Sequence, residues 1–261
     1  MLTRALSLTV IFFLSGPLVR AQQCVNLFLQ RTALQTEAQA YIHHGNYITQ
    51  RSYYEYSKAF GADFTKDMLT LNEDDVWVDL GAGTGRALKD FSEYKILRKE
   101  TPPHLLGVST QNSDYDAASK SIGWLGGRLW ENIPKHELPP RIDRATDFYG
   151  ILSYTDQVSN YLNEVFKRMP VGGKFYTLIS DRDLVQTDQN FLGRLFSSTS
   201  LVQYLKQVSN LHVEEKIVWN YLTLQKTRVL TLTKTGQVQF PDLEIISYRE
   251  DSPPYRTFLK N

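Results

Sequence analysis

The chain has 261 residues, 42% of them hydrophobic, a single cysteine and a formal net charge of +1. That is apolar material for one α/β domain with a sizeable core, and the near-neutral charge argues against a protein that wraps nucleic acid through its phosphates. Cys24 has no second cysteine to pair with, so nothing about redox compartment follows from it.

From the N-terminus, Met1–Ala21 reads as a signal peptide. Arg4 supplies a basic start, Ala5–Val19 is uncharged and mostly apolar, and Val19-Arg20-Ala21 resembles a small-residue cleavage site. The apolar stretch is shorter than the roughly 20 residues of a spanning helix, so no membrane span is expected once it is removed. An uncleaved anchor is the alternative, because Arg20 lies close to the cut. The leader implies export, periplasmic or secreted, and its loss moves the charge from +1 to −1 by taking Arg4 and Arg20 away. Residues 22–70 read as an N-terminal helical cap. Tyr53, Tyr56, Phe60, Phe64 and Met68 recur at steps of three and four and make one apolar face for the edge of a sheet, or else a lid over a ligand. The pair His43-His44 has no third partner nearby, so no metal site is expected.

The run Val76-Trp77-Val78-Asp79-Leu80-Gly81-Ala82-Gly83-Thr84-Gly85 comes next. A β-favouring segment reaches Asp79, three glycines alternate with small residues, and Arg86-Ala87-Leu88-Lys89 begins a helical pattern. A buried strand therefore feeds a tight turn that opens a helix and lets a ligand lie against backbone amides. The dinucleotide fingerprint Gly-x-Gly-x-x-Gly needs its third glycine one position later, where this chain has Arg86. An acid two residues before Gly-x-Gly-x-Gly instead resembles the first motif of the class I, Rossmann-like S-adenosylmethionine-dependent methyltransferases. The resemblance implies that Asp79, Gly81, Ala82, Gly83, Thr84 and Gly85 bind that cofactor.

Further along, Pro102-Pro103 ends the helix and His104–Val108 is a short buried strand. In the resembling family an acid at the end of this strand accepts from the ribose hydroxyls. Here the position falls on Ser109, a weaker acceptor than a carboxylate. Residues 127–132 read as a third strand running into a polar turn, where the resemblance makes Glu131 or Asn132 a partner of the adenine, with a solvated loop as the plain alternative. Ile142–Tyr154 resembles the fourth strand of the family, whose end faces the transferable methyl. It implies Asp147 and Tyr149 as catalytic residues, Asp147 also at the cofactor; capping of a turn by Asp147 and burial of Tyr149 is the other reading. A helix over Val158–Phe166, the turn Pro170-Val171-Gly172-Gly173 and the strand Phe175–Ser180 match the family at the expected distance from the glycine turn. Residues 181–210 read as a helical connection, and two strand-like stretches, 212–219 and 221–233, match the antiparallel end of the family's sheet.

The expected architecture is thus a Rossmann-like α/β fold: a mostly parallel seven-stranded sheet with an antiparallel final strand and helices on both faces. The methyltransferase-like core covers 71–235, and 236–261 is a C-terminal tail. Ser252-Pro253-Pro254-Tyr255 looks like the family's nitrogen-acceptor motif but lies far from the fourth strand, so an extended polyproline tail is expected instead. The function implied is methyl transfer from S-adenosyl-L-methionine to a small-molecule or protein acceptor. The alternative is an exported, non-catalytic domain that keeps the fold and binds a partner or another metabolite. A polyamine synthase fits less well, for want of acids after the fourth strand beyond Asp147 and Asp156. Oligomeric state is not readable from the sequence.

Overall fold

The computed structural model describes residues 50–110, 122–128, 130–155, 157–179, 183–186, 198–220, 225–249 and 255–260. The leader, Cys24, His43, His44, most of the 22–70 cap, Asp156 and Ser252–Pro254 lie outside them. No helix among the described residues is long and apolar enough to cross a membrane.

The described part of the cap begins with α1 (Tyr53–Phe60), started by a reciprocal cap in which Ser52 and Glu55 each accept from the other's backbone N–H. Gly61, at φ +94°, ends α1 and starts α2 (Ala62–Leu69). The apolar face predicted by periodicity is buried along its whole length, from Tyr53 to Met68. It packs with Trp77 and Phe91 on one side of the sheet.

The remaining elements are β1 (Val76–Leu80), α3 (Arg86–Leu97), β2 (His104–Val108), β3 (Ile122–Leu125), β4 (Arg144–Asp147), α4 (Ile151–Tyr154), α5 (Val158–Arg168), β5 (Lys174–Ile179), β6 (Leu184–Gln186), β7 (Ser198–Ser200), α6 (Leu201–Leu205), β8 (Leu211–Asn220), β9 (Gln225–Lys234), β10 (Leu243–Arg249) and β11 (Tyr255–Lys260). The main sheet has seven strands in the order β3-β2-β1-β4-β5-β9-β8, parallel except for β9, which runs antiparallel to both neighbours. This is the Rossmann-like arrangement expected from the sequence. Trp77 and Asp79 point to the α1–α3 side, Val78 and Leu80 to the α5 side, so each face of β1 enters a different apolar cluster.

Three local expectations are corrected. The third strand is Ile122–Leu125, not 127–132. Gly127 turns at φ +71°, and Trp130–Asn132 is a single 3-10 turn whose Trp130 packs edge-on against Tyr161 with ring centroids 4.9 Å apart. The 181–210 connection is not simply helical, since β6, β7 and α6 are built from it. The C-terminal tail is not open either. β10 and β11 pair antiparallel, and β11 adds to β6 in a second, four-stranded sheet. The cause is burial: Phe258 is fully enclosed, and Arg256 forms an ion pair with Asp183 at 2.9 Å in which both side chains are only 2% exposed.

A polar clamp holds the cap to the strands. Asp67 of α2 accepts from Arg144, which opens β4, and from Lys174 and Tyr176 of β5. Burial alone would raise the Asp67 carboxyl, but these donors hold it below the usual carboxylate range. Replacing Asp67 with Ala leaves two partly buried cations and a buried phenol without their acceptor. We expect a loss of about 3 kcal/mol in urea unfolding. A loss under about 0.5 kcal/mol would show that the clamp contributes little.

Candidate cofactor site

The glycine turn lies where the sheet order reverses direction, between β1 and β4. Gly81, Gly83 and Gly85 take φ of +130°, +56° and +79°, a left-handed sequence that explains why the turn needs this composition. The N–H groups of Gly81 and Ala82 both donate to the Val108 carbonyl, at 2.9 and 3.0 Å, and tie the turn to the end of β2. Gly85 then donates to Ala82 and starts α3, whose first turn holds no acid. A Cβ at Gly81 would come within 2.4 Å of the Gly150 Cα, so the turns after β1 and β4 touch backbone to backbone. Below them the Trp124 indole fills the space that glycine leaves at 85 and 107.

Asp79 is fully buried. Its carboxylate accepts from the Tyr56 hydroxyl of α1 at 2.9 Å and from Thr146 at 2.8 Å, and Thr146 accepts in turn from the Trp77 indole at 3.0 Å. Thr146 stands beside Asp79 because β1 and β4 pair in that register. All the donors to Asp79 are neutral, and among the described residues no cation stands at ion-pair distance. Burial pushes the Asp79 carboxyl up to about 7, with the negative charge of Asp147 adding to the rise.

Asp147 is also fully buried, but it points to the other side. One oxygen accepts from the Gly150 N–H at 2.7 Å; the other accepts from Leu152 N–H at 2.8 Å and from the Tyr161 hydroxyl at 2.7 Å. Its carboxylate therefore holds the turn from β4 into α4, and the expectation that it faces a reacting methyl gives way to the turn-capping reading. Burial is the main cause that pushes it up to about 6. Phe148 and Tyr149 follow Asp147 in the turn after β4. Tyr149 is half-buried at φ +53°, an uncommon conformation for a bulky residue and one that clusters at functional sites. Phe148 packs on Tyr56 with ring centroids 5.1 Å apart, and Arg51 covers its other neighbourhood.

The remaining expected positions are less concentrated. Ser109 is buried at the end of β2, and its N–H donates to Leu125 of β3 at 3.1 Å. Glu131 is exposed and accepts from the Thr155 hydroxyl at 2.5 Å, which places it beside α4, and Asn132 is exposed at the end of the 3-10 turn. Thus Asp79, the glycine turn and Tyr149 come together, while Glu131 stands apart. Tyr56, Thr146, Gly150 and Arg51 were not singled out by sequence reasoning. Tyr56 carried only an apolar-face signal, because its hydroxyl acquires a partner only when the cap docks. No group of three metal-ligating side chains occurs among the described residues.

No family model and no curated protein matches this chain. Solved structures do match. The precorrin-6y C5,15-methyltransferase of Geobacter metallireducens is 16% identical over 66% of this chain and 87% of its own, with a TM-score of 0.39. The plantazolicin methyltransferase BpumL, solved with a pentazolic desmethylPZN analog and SAH, is 13% identical over 85% of this chain and 93% of its own, with a TM-score of 0.43. At such identities the likeness is one of fold.

Proposed function

We propose that this protein is an S-adenosylmethionine-dependent methyltransferase acting on a small-molecule or protein acceptor. The observation that carries the reading is Asp79, a buried carboxylate with no cation at ion-pair distance among the described residues, next to a left-handed glycine turn at the switch point. Buried charges are stable when paired, and S-adenosylmethionine brings cations of its own. The residues present fit such a group. Gly81 to Gly85 would lie against it through the backbone, Ser109 would meet a hydroxyl of its sugar, and Asp79 would balance positive charge. When bound, it supplies an activated methyl on a sulfonium. The chain's own part would be to hold an acceptor in line with that methyl and to keep water out, and the packing of Phe148 on Tyr56 and Tyr149 supports that reading with aromatic surface.

Calorimetry tests this. The protein should bind S-adenosylmethionine with a Kd on the order of micromolar, and Gly83→Asp should abolish binding. Aspartate tolerates the left-handed φ of +56° better than most residues, so that variant keeps its backbone while it puts a side chain into the turn. Affinity should also rise with pH through about 7, as Asp79 loses its proton and becomes the stronger partner for a cation. Absence of heat at cofactor concentrations near roughly 1 mM would sink the enzyme reading and leave a binding domain without catalysis. Fractionating the native host tests the export that residues 1–21 imply.

A further inference from the structure

Every other arginine with a described side chain keeps a carboxylate oxygen at 3.9 Å or less. Arg51 has none among the described residues. Its Nη1 donates to the Phe148 carbonyl at 3.0 Å, and its guanidinium carbon stands 4.6 Å over the Phe148 ring. A guanidinium carries five N–H donors in one plane, so among the described residues one bond leaves an edge of them open. The Phe148 ring lies under the guanidinium, and the side chain is half-buried, so water compensates the charge only in part. One plain explanation is that Arg51 serves as the counter-charge of Asp79. Arg51 does lower the Asp79 carboxyl through space, but it stays beyond ion-pair distance, so Asp79 takes none of its N–H donors. The described contacts of Arg51 go to the turn after β4, and none reaches the glycine turn at 81–85. A half-desolvated planar donor against the Phe148 ring, which itself packs on Tyr149, suits a ligand that presents a planar or tetrahedral oxyanion next to apolar surface.

We propose that Arg51 is an acceptor-recognition residue, and that the methyl acceptor carries an oxyanion, a carboxylate or a phosphate, which meets the open guanidinium edge beside Phe148 and Tyr149. This rests on the methyltransferase reading, and it adds the acceptor's chemical class. The full chain, saturated with S-adenosylhomocysteine, is titrated with benzoate and with phenyl phosphate as probe anions and with benzamide as their neutral counterpart. Both anions should bind with a Kd on the order of 1 mM or tighter, and benzamide at least about tenfold more weakly. Arg51→Met should weaken both anions about tenfold, and Arg51→Lys should fall between, since it keeps the charge and loses the fork. Thermal unfolding of each variant confirms that it is folded. Equal anion affinity in wild type and Arg51→Met overturns the proposal, as does the absence of anion-dependent heat at about 20 mM. A loss of S-adenosylhomocysteine affinity in Arg51→Met also overturns it, because Arg51 would then serve the cofactor. Should the wild type take no S-adenosylhomocysteine, the methyltransferase reading fails on that result alone. The same anion titration without it still decides whether Arg51 holds an oxyanion.

Discussion

Gly150→Ala should be the most damaging small substitution in this protein. A Cβ at that position would stand 2.0 Å from the Leu80 carbonyl oxygen and 2.7 Å from the Gly81 Cα. Both obstacles are backbone, so no side chain can swing aside, and the turns after β1 and β4 must separate. We expect a loss of about 3 kcal/mol or more, seen as a fall of roughly 10 °C in Tm. Gly172→Ala is the control. Gly172 has φ +86° but nothing within 4 Å of a Cβ, so it should lose only about 1 kcal/mol of stability, from the backbone alone. Because the close approach is shared with Gly81, the double variant Gly81→Ala/Gly150→Ala should cost less than the two single losses added together. A Gly150→Ala protein that melts within about 1 °C of wild type would falsify the contact between the turns. The contact matters for function because it sets how far apart the ends of β1 and β4 stand, and those ends carry Asp79 and the Phe148–Tyr149 turn.

The second large effect is a dependence of stability on pH. Asp79 is pushed up to about 7 and Asp147 to about 6 by burial, against about 4 for a carboxyl in an unfolded chain. A raised folded pKa favours the protonated form of the folded protein. The stabilisation is therefore complete below about pH 4, where the unfolded chain is protonated too, and it is lost as pH rises to about 7. We expect the urea midpoint to fall between pH 5 and pH 8, with Asp79 contributing on the order of 2 kcal/mol to the difference. In Asp79→Asn most of that slope should vanish. The amide cannot accept from both Tyr56 and Thr146 as a carboxylate does, so the variant also loses about 1 kcal/mol that does not vary with pH. The slope, and not the stability at one pH, is the readout. Parallel profiles for wild type and Asp79→Asn would show that Asp79 is not the titrating group. The two carboxylates influence one another, so the midpoint of the fall belongs to the pair.

The elements legible in the sequence share one property: their causes are local. The glycine spacing at 81–85 announced left-handed backbone because few residues other than glycine take three such φ values in five positions. The 3.6-residue recurrence from Tyr53 to Met68 announced a buried face, and Pro170 to Gly173 announced a sharp stop before β5. Spacing between these signals sufficed for the Rossmann-like sheet. Where local signals failed, they failed for a reason. Residues 127–132 are apolar and polar in the manner of a strand end, yet Trp130 is held by Tyr161 from another helix. The C-terminal residues look like an open tail after two prolines, yet Arg256 finds Asp183 some 73 positions away.

What the sequence by itself determined is the architecture and the place of the glycine turn, because both follow from backbone preferences and periodicity within a few residues. Only the tertiary structure decided which polar groups share the site. Tyr56 meets Asp79 across 23 positions and Arg51 meets Phe148 across 97, while Asp147, which the sequence offered with Tyr149 as a catalytic candidate, caps the turn into α4. Such pairings depend on strand register and on how the cap docks, and those are set by the burial of whole faces and not by any residue's neighbours in sequence.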